Sequence, residues 1–161
     1  MSRIRLLGSV FLLFTLVGCG DYTSNKVVSY SLPKEGIKKL ILVSRMNFIC
    51  GYLGKYHAEY STSSYYHHFL DNGDFLIKTL LASKIDGNDL DKRQTEFIKS
   101  IKPGMASALR DDLSNIDNSI EIETMINTWL NTLNNRTSNC QDVTTYTRLI
   151  IDRLIEEKIV F

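Results

Sequence analysis

The stretch Leu40-Ile41-Leu42-Val43-Ser44-Arg45-Met46-Asn47-Phe48-Ile49-Cys50-Gly51-Tyr52-Leu53-Gly54-Lys55-Tyr56 decides the fold. Within it Leu42, Met46, Ile49, Leu53 and Tyr56 recur at steps of four and three, the spacing that lines one face of an α-helix. Leu40, Ile41, Val43 and Phe48 widen that face until apolar side chains cover most of the circumference, the pattern of a helix central to a bundle. Read alone, Leu40 to Val43 would also suit a buried strand, but no clear partner strand follows. Just upstream, Pro33 stands where a first helical turn would begin, with Ser31 ahead of it as a possible cap.

The chain downstream continues in helical stripes. Residues 61–64 read as a loop, and Tyr65 to Leu70 as a short aromatic piece. Asn72-Gly73 is a turn signal, after which Asp74 can cap a helix carrying Leu76, Leu80 and Leu81. Asp86-Gly87-Asn88-Asp89 breaks the pattern again. Leu90, Gln94, Phe97, Ile98 and Ile101 form the next stripe, which Pro103-Gly104 is expected to end; Met105, Leu109, Leu113 and Ile116 make another. Asn118, three residues before Glu121, resembles a capping box ahead of Ile122, Ile126, Trp129, Leu130 and Leu133. Ser138 with Gln141 is a like signal for a last helix carrying Val143, Tyr146, Ile150 and Leu154. There is no internal repeat and no low-complexity tract. The expectation is all-α: a single small helical bundle of five or six helices over residues 32–161.

The N-terminus has a different logic. Arg3 and Arg5 precede an apolar run from Leu6 to Val17 that is too short for a settled transmembrane helix, which needs about 20 residues. The run ends in Leu16-Val17-Gly18-Cys19, which resembles the lipobox of bacterial lipoproteins. That resemblance implies a signal peptide over 1–18, cleavage between Gly18 and Cys19, and a covalent lipid on Cys19 as membrane anchor. The competing reading is an ordinary signal peptide with a chance cysteine. Gly20 follows the cysteine, where retention in the inner membrane is associated with aspartate, so the implied location is the outer membrane facing the periplasm. Residues 19–31 then form the lipidated end and a tether; a dozen residues reach at most about 40 Å.

Composition agrees with one folded unit. Removing residues 1–18 from 161 leaves 143, enough for a domain with its own core. Apolar residues make up 43% and charged residues 23%, an ordinary globular balance. Without Arg3 and Arg5, seventeen basic residues face eighteen acidic ones, so charge gives no reason to expect nucleic acid as a partner. Beyond Cys19 two cysteines remain, Cys50 and Cys140. In an oxidising exported compartment an even pair suggests a disulfide, and two cysteines allow one pairing; the alternative is two buried thiols. The bridge would close 90 residues of chain, worth about 4–5 kcal/mol in the chain-entropy model.

Candidate chemistry is sparse. His57 and Glu59 lie two apart and diverge on a helix; Cys50 shares a face with His57, but a disulfide would consume it, so no metal is expected. Asp86 to Asp91 superficially resembles a calcium loop, but twelve residues on from Asp86 stands Phe97, not a bidentate acid. No nucleophile elbow, HExxH, CxxC or phosphate loop appears, and nothing marks Asp111, Asp112, Glu121 or Glu123 as a facing catalytic pair, so no enzyme activity is expected. The most unusual run is Tyr65-Tyr66-His67-His68-Phe69. Either Tyr65, Tyr66, His67 and His68 form an exposed partner-binding patch, or Tyr65 and Phe69 fill core while the histidines face solvent.

Phe48-Ile49-Cys50 and Asn139-Cys140-Gln141-Asp142, with the order of helices between them, resemble a family of small exported immunity proteins that guard bacteria against peptidoglycan amidases delivered by type VI secretion. The resemblance implies an all-helical periplasmic protein with one cysteine in the first helix bridged to one opening the last, acting by binding rather than turnover. This chain departs from the pattern in being longer and in carrying a lipobox. The expected function is thus membrane-anchored protein binding, with a cell-wall-targeting toxin as the client. A pilotin-like assembly factor for a secretion machine and an exclusion lipoprotein are the alternatives.

Overall fold

Nine consecutive residues, Met46 to Gly54, are buried on a single helix. Such a helix is covered on all sides, and the rest of the fold follows from what covers it. The computed structural model describes residues 30–56, 64–113, 116 and 118–156. Among them two short strands and five helices follow in the order β1 (Tyr30–Leu32), α1 (Lys34–Tyr56), α2 (Ser64–Ala82), β2 (Ser83–Ile85), α3 (Lys92–Leu113), α4 (Ser119–Leu133) and α5 (Cys140–Glu156). The chain is an all-α bundle built around α1, against which α2, α3, α4 and α5 all pack.

The closest of these contacts explains a departure from the sequence reading. Asn72-Gly73 does not turn the chain; it lies inside α2. A Cβ on Gly73 would sit 2.6 Å from Cε1 of Phe48 on α1, and one on Gly51 would sit 2.6 Å from Cγ of Leu70 and 3.0 Å from its backbone nitrogen. The two glycines are therefore the points at which α1 and α2 approach, each admitting a bulky side chain from the other helix. Asp74, expected to cap a new helix, instead binds Lys102 of α3 at 2.7 and 2.5 Å through its two carboxylate oxygens.

Pro103-Gly104 likewise fails to end a helix, and α3 runs unbroken from Lys92 to Leu113. The stripe Ile98, Ile101, Met105, Leu109 and Leu113 is buried along its whole length, so both halves must present one face to α1. Pro103 removes a single backbone donor, and the carbonyl that loses it belongs to Lys99. Both residues are exposed, where water can serve in its place. Burial of five large apolar side chains, at about 1.5–3 kcal/mol each, outweighs one proline.

Helix starts follow local hydrogen bonding. Asp91 and Gln94 form a reciprocal capping box, Gln94 N–H to Asp91 Oδ1 at 2.7 Å and Asp91 N–H to Gln94 Oε1 at 2.9 Å. Asn118 caps α4 as expected, accepting from Ile120 N–H at 2.9 Å. The start of α5 falls one residue later than read: Asn139, not Ser138, accepts from the Asp142 N–H at 2.9 Å. Asp142 in turn accepts from the Ser138 backbone and hydroxyl at 2.9 and 3.0 Å.

The short parallel sheet was not expected. β1 pairs with β2 in the register Tyr30 to Ser83, Ser31 to Lys84 and Leu32 to Ile85, with α1 and α2 as the crossover. Tyr30 and Ser31, assigned to the tether on sequence, thus belong to the domain. The pairing ends in a turn at Asp86 and Gly87, both at positive φ, where Asp86 N–H reaches Leu32 C=O at 2.9 Å.

The buried side chains form two clusters strung along α1. One gathers Met46 to Leu53 with Phe69, Ile101, Met105, Leu109 and Leu113 of α3, Ile122, Ile126, Leu130 and Val143. The other gathers Leu32, Ile37, Leu40, Val43, Leu76, Leu80, Ile98 and Leu154. Cys50 and Cys140 are joined by a disulfide with their Cα atoms 5.8 Å apart, fastening the first turn of α5 to the middle of α1. One turn before Cys50, the buried Asn47 donates from Nδ2 to Thr147 Oγ1 at 2.8 Å, a second tie between the same helices.

Candidate functional site

The aromatic run opening α2 divides by helical direction. Tyr65 and Phe69 lie four apart on one face; Phe69 is buried in the core and Tyr65 is 39% exposed at its edge. Tyr66 is half-buried, and His67 and His68 are exposed. The structure therefore falls between the two sequence readings: Phe69 fills core, the histidines face solvent, and the tyrosines hold the boundary. Their rings are fixed by edge-to-face packing, Tyr65 on Tyr66 at 5.2 Å and Tyr65 on Phe69 at 5.0 Å between centroids.

The start of α5 completes the site. The Tyr65 hydroxyl donates to Gln141 Oε1 at 3.3 Å and lies within hydrogen-bond distance of Thr144 Oγ1 at 3.2 Å. Because Cys140 is bonded to Cys50, this end of α5 is held against α1 while Tyr65 reaches it from α2. Beside the disulfide opens a cavity of about 300 Å³, lined by Leu53, Tyr65, Tyr66, Ile126 and Cys140 and by the polar side chains Glu123, Asn127, Asn139 and Gln141. Burial, and then the neighbouring Tyr65 and Glu123, push the Tyr66 hydroxyl above its ordinary range, so it stays protonated. The cavity lining combines hydroxyl, amide and carboxylate groups with apolar side chains, a chemistry of hydrogen bonding and packing.

Comparison with protein-family models, with curated proteins and with solved structures gave no match in any of the three.

The remaining sequence candidates lie elsewhere. Cys19 and the lipobox fall outside the described residues, as do His57 and Glu59. Asp111 and Asp112 are exposed near the end of α3, and Glu121 and Glu123 are exposed on α4. The acidic segment after β2 is a turn whose Asp89 pairs with Lys84 at 3.2 Å. Among the described residues no group of three or more His, Cys, Asp or Glu side chains is placed to hold a metal ion, and no helix is long and apolar enough to cross a membrane.

A larger groove of about 880 Å³ runs between α1, the end of α4 and α5. Lys39, Leu42, Asn134, Arg136, Tyr146 and Leu149 are among its lining residues. Sequence reading passed over it, and over Asn127 and Thr144, and read Gln141 as a helix-start signal rather than a site residue. Periodicity marks the buried face of each helix, whereas these residues matter because two helices stand beside each other. The one available signal was Cys140: a bridge to Cys50 brings its neighbours Asn139 and Gln141 to α1.

Proposed function

We propose that this chain is a lipid-anchored binding protein of the bacterial envelope, and that its client is a toxin directed at the cell wall. The observation that carries the reading is the Cys50–Cys140 bridge, which joins the first helix to the opening of the last. That arrangement agrees with the one implied by the resemblance to type VI amidase immunity proteins, and it suits an oxidising compartment. The lipobox at Leu16 to Cys19 supplies the anchor in this reading, and a short tether raises the local concentration of the domain near the wall. The rigid tyrosine edge at the start of α2 is the contact surface: tyrosines held by ring packing lose little freedom on binding.

The test is capture of the tagged, full-length lipoprotein after crosslinking in its native host, followed by inhibition. A wall hydrolase in the complex, whose cleavage of peptidoglycan falls stoichiometrically as the protein is added, is the expected result. A secretin or another envelope-machine subunit in its place would retire the immunity reading. It would favour the pilotin-like one, for which the groove between α1, α4 and α5 is the specific support: Leu149 stands 58% exposed beside it, as a receptor for a partner helix requires.

A further inference from the structure

α3 and α4 both pack on α1, and between them lies an open groove of about 340 Å³. Met105 lines it and is buried, while Phe97 lines it and is 53% exposed, an uncommon position for a large aromatic side chain. Trp129 of α4 is half-buried across from them. On α3, Gly104 and Ala108 lie one turn apart in the same lining, and a Cβ on Gly104 would meet nothing within 4 Å. The wall is thus lowest where another chain can come closest.

Arg45 of α1 lines this groove. It is half-buried, yet it makes no hydrogen bond or ion pair among the described residues. A guanidinium half-withdrawn from water beside apolar side chains is placed to gain from an anion that closes on it. Its planar fork matches a carboxylate through two parallel hydrogen bonds, and arginine beside aromatic residues is the composition of interface hot spots.

We propose that this groove docks an apolar segment of a protein partner carrying an aspartate or glutamate. The carboxylate closes on Arg45, and the segment's apolar side chains cover Phe97, Met105 and Trp129. This rests on the protein-binding reading above and gives it a second surface with a stated chemistry, whether the client is a toxin or a machine subunit.

The experiment uses the full-length chain in its native host, with photoreactive p-benzoylphenylalanine in place of Phe97 in one strain and of His68 in another. The expected result is a crosslink from position 97 to a different protein. Its mapped segment should contain at least two large apolar residues with an Asp or Glu within about one helical turn of them. Arg45→Glu should lower the yield at least about tenfold with the disulfide and helix content intact, as loss of a hydrogen-bonded charge pair predicts. Gly104→Leu, which fills the open point without touching the charge, should lower it comparably. A crosslink from position 68 alone overturns this inference and leaves the binding reading standing. Capture from neither position overturns both. Capture of a second copy of this chain, a segment without a carboxylate, or a yield indifferent to both substitutions also overturns it.

Discussion

Two glycine-to-alanine substitutions, chemically identical and both inside helices, should move stability in opposite directions. Gly104 lies in α3 with open space where its Cβ would be, so Gly104→Ala collects the helix-propensity gain of about 1 kcal/mol. Gly73 lies in α2, where the same gain meets a wall. The new Cβ would stand 2.6 Å from Cε1 and 2.9 Å from Cδ1 and Cζ of Phe48, against about 3.5–4.0 Å for a comfortable carbon contact. Phe48 is fully buried, with Lys102 Nζ 5.8 Å from its ring centroid, so the ring has little room to retreat. Overpacking of this kind costs about 1–3 kcal/mol, and the geometry argues for the upper end. Less the propensity gain, Gly73→Ala should lose about 2 kcal/mol, leaving the two variants about 3 kcal/mol apart. Urea unfolding followed by far-UV circular dichroism, with the disulfide intact, should show midpoints separated by about 1–3 M at unchanged slope. Phe48→Leu in the Gly73→Ala background should recover part of the loss, with a coupling energy of about 1 kcal/mol or more. A Gly73→Ala protein as stable as the wild type would refute the close crossing of α1 and α2.

Other outcomes follow from the same architecture. Reduction of Cys50–Cys140, or Cys50→Ser with Cys140→Ser, should cost up to about 4–5 kcal/mol in urea unfolding, since the bridge spans 90 residues; no change would deny the staple. The Asp142 carboxyl is held below its ordinary range chiefly by the Ser138 backbone N–H and then its hydroxyl. A lowered folded pKa means that its support of the α5 cap is present above the ordinary carboxylate range and is lost as pH falls through the folded value. Exchange protection of the Ser138 amide should therefore fall on acidification in the wild type and be low at every pH in Asp142→Ala. Cys19→Ala with an intact leader should move the protein from the membrane to the soluble fraction, and its retention would remove the lipobox from the argument.

What the sequence disclosed was the buried face of each helix. The stripes at Leu42 to Tyr56, Ile98 to Leu113, Ile122 to Leu130 and Val143 to Leu154 all lie on helices, because apolar spacing is a property of one element. Glycine and proline misled it where tertiary contact decides their meaning. Asn72-Gly73 has the composition of a turn, yet Gly73 is required by Phe48, which is 25 residues away in the chain. Pro103-Gly104 has the composition of a helix end, yet the apolar stripe on both sides needs one continuous helix. The pairing of β1 with β2 was invisible for a like reason, since three-residue strands carry no period to detect. At the candidate site, the count of cysteines beyond Cys19 left a single pairing, Cys50 with Cys140, and the structure contains it. The meeting of Tyr65 with Gln141 and Thr144 depends on how α2 and α5 stand around α1, which no local pattern encodes.

The two grooves and the fold share one cause. α1 is apolar on nearly every side, so each later helix finds a contact there. α2 takes the tightest contact through the glycine crossings and α3 takes a long one, while α4 and α5 settle as separate ribs on the same hub. Where neighbouring ribs pack chiefly on the hub they leave furrows, one between α3 and α4 and one between α4 and α5, each with α1 residues, Arg45 or Lys39 and Leu42, among its lining. The disulfide then has a role beyond stability. α5 is the last helix, and a bond from its first turn to Cys50 fixes the wall that Tyr65 touches. Loosening that bond should disturb the tyrosine edge and the α4–α5 groove before it disturbs the α1–α2 crossing, because only the former are built on α5.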